Sequence, residues 1–304
     1  MIPSFDSRTR AVRAVLLVML ASWSMATLEL SAGGPGEQLI VAPDAGDGDW
    51  FGRWISVDGG VAAISAEWDD DGNATGSVYV FRRVSGAWTF DQKLTASDGE
   101  EGDLFGRNVS IRGDLLIAGA FGEDTNGPEA GAAYIFRHDG TRWVEEAKLL
   151  ADDGVADDFF GRWVDIEGDT AVVGCVHAGE VAEGAGAVYL FRRVGPTWIQ
   201  EQKLLPAAPA VNSLFGYSVA ISNGFLAIGE AWDDDLGDRA GSVSIYRDNG
   251  GLWLLETKLL ASDGQPIDYL GGDLAFGDGF LVVGALGDDD FGDRSGAAYV
   301  FRYD

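Results

Sequence analysis

Residues 215–264 read FGYSVAISNGFLAIGEAWDDDLGDRAGSVSIYRDNGGLWLLETKLLASDG, and this pattern recurs along the chain. The opening Phe-Gly dipeptide occurs at residues 51, 105, 160 and 215 and as Leu-Gly at 270, in steps of 54, 55, 55 and 55 residues. Other positions keep the same step, namely Gly76, Gly131, Gly186, Gly241 and Gly296; Trp88, Trp143, Trp198 and Trp253; and Lys93, Lys148, Lys203 and Lys258. Such phased ladders identify an array of repeats.

One repeat predicts four short antiparallel strands. The first, FGYSVAIS, ends at Asn223-Gly224, which is a two-residue hairpin signal, and FLAIGE is the second. An acidic loop leads to GSVSIY, and a turn containing glycine leads to LWLLETKLL. The corresponding hairpin turns are predicted at Asp58-Gly59, Gly113-Asp114, Gly168-Asp169 and Asp278-Gly279. Four strands in about 50 residues describe a propeller blade, so the sequence predicts an all-β, five-bladed β-propeller.

The two ends of the repeat array predict how the ring closes. The last copy stops at AAYVFRYD (297–304), after its third strand. The segment EQLIVAPDAGDGDWFG (37–52) matches DQKLTASDGEEGDLFG (91–106), a fourth strand and its exit loop. We therefore predict one propeller domain over residues 37–304, in which residues 37–42 pair beside residues 297–302 and complete the last blade. That pairing would bury two strand edges that an open array exposes.

Residues 1–32 have the pattern of a secretory signal. Arg8, Arg10 and Arg13 precede an apolar run that starts at Ala14, and small residues follow it. An uncleaved membrane anchor is the alternative, although the run is shorter than the ~20 residues that a span needs. We expect a secreted or cell-surface protein with no membrane span after signal cleavage.

The amino-acid composition limits which classes of binding partner are expected. The formal net charge of the 304-residue chain is -28, which disfavours nucleic acid and anionic membranes and favours cations or basic surfaces. Cys175 is the single cysteine, so no internal disulfide is possible, and its small apolar neighbours predict a buried hydrophobic residue.

Three motifs carry a family resemblance. FGYSVAIS, IAGA (117–120) and GSVYVF (76–81) resemble the FG-GAP repeat, the propeller unit of integrin alpha-subunit heads. With KLTASDG and DDD, the chain looks most similar to secreted bacterial FG-GAP proteins. The resemblance implies extracellular cell adhesion and ligand binding, often with calcium. Integrin-type calcium loops lie between strands one and two, where this sequence has tight turns such as IRGD (111–114), so those ligands are not carried over.

The acidic loops gather at one end of the predicted ring and have three interpretations. Calcium binding is the first, because hard cations prefer several oxygen ligands. Turn capping by Asp is the second, above all for Asp98 and Asp263 in their ASDG motifs. A docking surface for a basic partner is the third. The candidate metal ligands are Asp69, Asp71, Asp233, Asp235, Asp238, Asp288, Asp290 and Asp293.

Arginine follows Phe-Gly directly in three consecutive repeats, at Arg53, Arg107 and Arg162. If strand one is innermost, these side chains approach the central channel at its acidic end. They are candidate ligand-binding residues for an anionic group such as a uronate or a carboxylate side chain. The alternative is that they pair with the surrounding acids.

No catalytic constellation is recognisable in the sequence. His138 and His177 are the only histidines, and they lie in different repeats without metal or triad spacing. We therefore expect a non-enzymatic recognition or adhesion module that binds an extracellular protein or glycan, with calcium as the one expected cofactor. An extracellular polysaccharide-processing enzyme with its site at the channel mouth is the alternative, because paired acids are abundant there.

Overall fold

The computed structural model describes residues 37–69, 75–277 and 279–302. The predicted signal, residues 1–32, and the candidate ligand Asp71 lie outside these ranges. The architecture is all-β, with five antiparallel sheets arranged as the blades of a propeller, as predicted. No helix in the described ranges is long and apolar enough to cross a membrane.

Each blade is a meander in which consecutive strands are hydrogen-bonded neighbours. Blades one to four have four strands, and blade five has three strands within the described residues. The bounds are β1 Ile55–Asp58, β2 Val61–Ala66, β3 Ser77–Val84 and β4 Ala87–Leu94; β5 Val109–Arg112, β6 Leu115–Ala120, β7 Ala132–His138 and β8 Trp143–Leu149; β9 Phe160–Glu167, β10 Thr170–Cys175, β11 Ala187–Val194 and β12 Thr197–Leu204; β13 Phe215–Ser222, β14 Phe225–Glu230, β15 Ser242–Asp248 and β16 Trp253–Leu259; β17 Leu270–Gly277, β18 Phe280–Ala285 and β19 Ala297–Arg302.

The hairpins between first and second strands match the sequence prediction in blades two to four. In blade four, Asn223 and Gly224 have φ of 52° and 76°, so both central residues are in the left-handed region, as in a type I′ turn. Blade one differs by one residue, because β1 includes Asp58 and the turn is Gly59-Gly60. Asp278, part of the turn predicted in blade five, lies outside the described residues.

The third strands of blades one to four are buried on both faces, because both faces of these blades pack against other parts of the chain. In blade five, every second residue of β19 is exposed. In β3, Val78 and Val80 belong to the cluster shared with blade two. Tyr79 and Phe81 point the other way, into the cluster that contains Ala42. Cys175 is fully buried, and burial raises its pKa well above the ordinary value, which confirms its prediction as a small core residue.

Consecutive blades meet through a backbone contact that requires glycine. Gly131 precedes β7 with φ of 89°, and a Cβ there would lie 2.0 Å from the carbonyl oxygen of Phe160 in blade three. The N–H of Phe160 donates to the carbonyl of Ala130 at 2.9 Å. Equivalent approaches join Gly76 to Phe105, Gly186 to Phe215 and Gly241 to Leu270. These contacts explain why two of the sequence ladders run in phase.

First strands are innermost and enclose a central cavity of about 260 Å³. Asp165 lines this cavity and accepts hydrogen bonds from the hydroxyl of Ser110 at 2.6 Å and from the N–H groups of Ile166 and Ile221 at 2.8 Å. Burial raises the pKa of Asp165, and its hydrogen bonds oppose that rise. One carboxylate therefore links the first strands of blades two, three and four.

Residues 37–42 lie against blade one without forming a strand. The side chain of Gln38 donates to the carbonyl of Trp88 at 2.6 Å and accepts from its N–H at 2.7 Å. The same paired bonds join Gln92 to Trp143 and Gln202 to Trp253, each from a fourth strand to the next blade. Gln38 therefore takes the place of a fourth-strand residue preceding blade one.

On its blade-five side, the seam between blades five and one lacks, within the described residues, the contacts that join the other blades. Within the described residues, the sheet of blade five has the order β17-β18-β19, so β19 is its last strand. The glycine contacts of the other blades are missing here, because no atom lies within 4 Å of a Cβ built on Gly52 and the nearest to Gly296 is at 3.6 Å. Val300 is 63% exposed. Pairing of residues 37–42 with 297–302 thus stays a prediction.

A covalent link across the seam tests this closure. The repeat places Ala298 opposite Ile40, as Val78 lies opposite Leu94 in blade one. Opposed residues of antiparallel strands have Cα atoms about 4.5–5.5 Å apart, which a disulfide can bridge. We expect a variant with Ile40→Cys and Ala298→Cys to form an intramolecular disulfide under mild oxidation, detected by non-reducing electrophoresis and mass spectrometry.

The matched control combines Leu39→Cys with Ala298→Cys, because a one-residue shift moves the side chain to the other face of the sheet. Buried Cys175 does not compete for oxidation. A disulfide-linked dimer would show that the closing strand comes from a second copy of the chain. Failure of the first pair to link would contradict the predicted register.

Candidate functional site

Two sets of loops form one end of the propeller, which we call the loop face. Its strand-two-to-three loops and interblade loops are long and acidic, whereas the opposite end carries the short hairpin turns. The described parts are residues 67–69, 75–76, 121–131, 176–186, 231–241 and 286–296, with interblade loops 43–54, 95–108, 150–159, 205–214 and 260–269.

A lysine ammonium sits among the acids of this face. In blade two, Lys148 Nζ lies 2.7 Å from both Asp98 Oδ2 and Glu123 Oε1, and Tyr134 donates to Asp98 Oδ1 at 2.8 Å. Burial alone would lower the pKa of Lys148, but its bonds to Asp98 and Glu123 raise it. The cluster therefore holds its own cation. We call this arrangement the ammonium site.

Blades one and three repeat the ammonium site. Lys93 Nζ lies 2.8 Å from Asp44 and 2.9 Å from Asp69, and Lys203 Nζ lies 2.6 Å from both Asp153 and Glu180. In blade four, Lys258 Nζ contacts Asp233 at 2.5 Å and Asp235 at 2.7 Å. In blade four, Ala208 stands where the other repeats have the interblade aspartate, and Ser244 stands where they have the tyrosine. The two residues are lost together, as expected if the tyrosine hydroxyl and the aspartate depend on their mutual hydrogen bond.

The predicted metal ligands are therefore divided among several environments. Asp69 contacts Lys93 in blade one, and Asp233 and Asp235 both contact Lys258 in blade four. Asp238 does not join them, since its exposed carboxylate lies 3.8 Å from Arg239 Nε. Throughout the described residues, no group of three or more His, Cys, Asp or Glu side chains is arranged to hold a metal ion.

Blade five keeps the acids of the ammonium site without the lysine. Tyr299 donates to Asp263 at 2.8 Å and to Asp288 at 3.2 Å. Asp290 accepts from the side-chain amide of Gln265 at 2.8 Å, and Asp293 is exposed. The residue that the repeat aligns with the lysine is Leu39. No lysine contacts these acids among the residues that the structure describes.

Turn capping belongs to a different set of acids from the ones predicted. Asp98 and Asp263 accept hydrogen bonds from tyrosine hydroxyls. In four of the five interblade loops, the carboxylate five residues after the Asp98 or Asp263 position accepts from a backbone N–H three residues earlier and closes the turn. These caps are Asp49 to Gly46, Asp103 to Glu100, Asp158 to Val155 and Asp268 to Gln265.

The three predicted arginines converge at the mouth of the channel. Arg53 Nη1 lies 2.7 Å from Glu67 Oε1, and Arg107 Nε lies 3.6 Å from Glu67 Oε2. Burial raises the pKa of Glu67, and Arg107, Arg53 and Arg162 oppose that rise. Burial also lowers the pKa of Arg107. Arg53 and Arg107 thus contact one carboxylate, and Arg162 acts on it only through its charge.

The guanidinium groups of these arginines lie against aromatic rings. Arg107 lies over Trp54 and Phe121 at 5.2 and 5.9 Å, and Arg162 lies over Phe121 and Tyr217, at 5.8 Å from each. Arg53 lies 4.9 Å from the ring of Trp50. The Trp50 indole meets Trp68 edge-on at 5.7 Å, and both remain exposed, at 55% and 42%.

A comparison with protein families identifies the repeat. The FG-GAP repeat model matches residues 36–81, 88–136, 143–191, 198–246 and 253–301. The chain belongs to the FG-GAP repeat family. Each later match runs from a fourth strand to the third strand of the next blade, and the first one includes residues 37–42. No curated protein matches the chain.

Several contacts of this FG-GAP propeller were not predicted. The lysine ladder was recognised as a repeat but not as the set of cations that enters the acidic loops. Its position at the end of each fourth strand, beside those loops, was the available signal. The available signal for Glu67 was its departure from the repeat, because the equivalent residues Phe121, Val176, Ala231 and Leu286 are apolar.

Glu230 is a second acid that breaks the repeat. Its counterparts Ala66, Ala120, Cys175 and Ala285 are all small. The side chain is buried, Ser213 is a hydrogen-bonding partner, and Oε1 has no partner in the described structure. Burial raises the pKa of Glu230 to about 7, with Asp233 adding to the rise.

Replacing Glu230 by Gln tests this burial. Between pH 4.5 and about 7, the folded protein keeps a proton on Glu230 that the unfolded chain loses, so stability falls as pH rises through this window. We expect Glu230→Gln to raise the unfolding free energy at pH 8 by about 2–3 kcal/mol, with little change at pH 4.5. Urea unfolding at both pH values measures the difference.

Exposed Glu183 on the same face supplies the control substitution, Glu183→Gln. It should leave the pH dependence unchanged. Equal effects of Glu230→Gln at pH 4.5 and 8 would show that the Glu230 carboxylate is not destabilised by burial.

Proposed function

We propose that this FG-GAP propeller is a secreted or cell-surface recognition and adhesion module that binds an extracellular protein or glycan on its loop face. The observation that carries the proposal is the exposed indole pair of Trp50 and Trp68 beside Arg53. Tryptophan and arginine are enriched among the residues that dominate binding energy. Exposed apolar surface rimmed by polar residues is typical of interaction sites.

Charge and family support the same conclusion. The FG-GAP propeller is a scaffold for interaction with other molecules, and extracellular function is typical of the repeat. Residues 1–32 have the pattern of a secretory signal. The net charge of -28 disfavours nucleic acid as a partner.

Binding without turnover distinguishes this function from the alternative, a polysaccharide-processing enzyme. We expect the purified protein to bind members of an extracellular glycan or protein array saturably, with no release of reducing ends or bond cleavage over long incubation. Trp50→Ala should weaken binding at least tenfold, as truncation of an interface tryptophan commonly costs about 2 kcal/mol or more.

Substitution of the buried Trp143 is unsuitable as a control, so the exposed Val194→Ala on the opposite end serves instead. Turnover that is lost on changing channel-mouth carboxylates would favour the enzyme and contradict the proposed module.

Calcium assistance is proposed for blade five. In the other blades an ammonium already neutralises acids at the equivalent positions, and calcium would have to displace it. Asp263, Asp288 and Asp290 have carboxylate oxygens that no lysine contacts in the described residues. These acids are not arranged there as a metal site, so calcium, which prefers oxygen ligands, would have to draw them together. Weak affinity, ~10⁻⁴ to 10⁻³ M, is expected of such extracellular sites.

Leu39→Lys tests the calcium proposal, because it would supply the missing ammonium once the ring is closed. For the native sequence we expect a saturable calcium-specific rise in unfolding free energy, about 1–3 kcal/mol at ~10 mM calcium. Leu39→Lys should be more stable without calcium and lose this response. Thermal unfolding at matched ionic strength measures both.

Sodium and magnesium at matched ionic strength are the controls. A rise that sodium reproduces would mean screening of like charges. An undiminished calcium response in Leu39→Lys would place the ion outside blade five.

A further inference from the structure

The channel mouth combines positive charge with an acidic setting. Arg53, Arg107 and Arg162 come from the first strands and their lead-in residues in blades one to three, and the equivalent positions in blades four and five are Tyr217 and Gly272. The carboxylate that pairs with this group is Glu67, whose side chain is 3% exposed. The formal charge of the four side chains is therefore positive, on the most acidic face of the molecule.

Three buried side-chain atoms of this cluster have no hydrogen-bond partner in the described structure. They are the donors Nη1 of Arg107 and Nε of Arg162 and the acceptor Oε2 of Glu67, which lies 3.6 Å from Arg107 Nε. Buried guanidinium N–H groups without an acceptor are costly, and unsatisfied groups of this kind are uncommon in folded proteins. Both guanidinium groups lie near the ring of Phe121, one at 5.9 Å and the other at 5.8 Å, and the charge of Arg162 acts on Arg107 and contributes to lowering its pKa.

The cluster already shows which anion it accepts. Glu67 is a planar carboxylate, and Arg53 and Arg107 each contact a different oxygen of it. Guanidinium groups match carboxylates geometrically, since both are planar and can form paired hydrogen bonds. A second carboxylate fits the chemistry of the remaining donors.

The exposed rim of the mouth indicates what carries that carboxylate. Trp50 and Trp68 present their indoles to solvent next to Arg53, whose own side chain is 36% exposed. Flat apolar rings beside hydrogen-bonding groups suit a ligand with one apolar face and a polar edge, which describes a sugar ring. A sugar ring that carries a carboxylate would use the arginines and the indoles together.

We propose that the channel mouth binds a uronic acid residue of a glycan, with its carboxylate at Arg107 and Arg162 and the sugar against Trp50 and Trp68. The net charge of -28 disfavours a uniformly polyanionic chain. The ligand is therefore an isolated or terminal uronate on an otherwise neutral glycan. This proposal deepens the recognition function and rests on it, by naming the ligand class.

The test is a ligand-observed NMR titration of the purified protein with three probes. They are methyl glucuronide, methyl glucoside and N-acetylglutamate amide. We expect saturable binding of the glucuronide and binding of the glucoside weaker by about tenfold or more, since hydrogen bonds to charged groups are worth about one to two decades in affinity. Trp50→Ala should weaken binding of the glucuronide more than binding of N-acetylglutamate amide, which has no sugar ring.

Two variants of opposite sign separate ligand binding from a structural role. Arg162→Leu should weaken the glucuronide at least about tenfold, whereas Glu67→Gln should tighten it because a competing carboxylate loses its charge. Arg82→Leu is the control, since Arg82 pairs with Asp91 away from the mouth. Thermal unfolding confirms that each variant is folded.

Three results would overturn the proposal. They are no difference between glucuronide and glucoside, equal or tighter binding of N-acetylglutamate amide, and weakening by Glu67→Gln. If Arg162→Leu instead keeps full binding to an array partner, the recognition function stands and the uronate assignment fails.

Discussion

The approach of a glycine to the backbone of the next blade is the constraint on which this propeller depends. A Cβ at Gly131 would lie 2.0 Å from the carbonyl oxygen of Phe160, well inside any tolerated distance. The hydrogen bond from the N–H of Phe160 to the carbonyl of Ala130 holds these two segments of the backbone at that separation. The contact fixes where the glycine and the following Phe-Gly lie relative to each other in space. The same contact brings each interblade loop beside the acidic loop of the next blade.

Crowding of acids at one end creates an electrostatic problem that the repeat solves internally. A lysine at the end of the fourth strand enters the acids of its own blade, as Lys148 does between Asp98 and Glu123. Partly buried ion pairs of this kind offset the mutual repulsion of neighbouring carboxylates, which a surface pair in water would do only weakly. The formal charge of -28 therefore overstates the field at these clusters. Blade five, where Leu39 aligns with the lysine, keeps its acids without that compensation.

Periodic features could be predicted from the sequence, and contacts between different repeats largely could not. Strand order, the hairpin at Asn223-Gly224 and the burial of Cys175 follow from patterns within one copy, where local propensity and packing agree. The partners of Asp98 depend on which loops the ring brings together, and residue spacing within a copy does not contain that information. Blade one also showed the limit of turn chemistry, since both Asp58-Gly59 and Gly59-Gly60 satisfy a tight turn. Convergence of the arginines was predictable because Phe-Gly fixes the innermost position.

Departures from fivefold repetition locate function better than the repeat does. A contact present in every blade is explained by folding, because each blade needs it to pack. Glu67 has no acidic counterpart at its position, and it faces arginines that only three blades supply. Burial raises the pKa of Glu67, so the charged carboxylate destabilises the fold unless its interactions with the arginines offset that cost. Glu67 offsets part of the mutual repulsion of the arginines, and under the proposed uronate binding a ligand carboxylate would compete with it for the same positive charge.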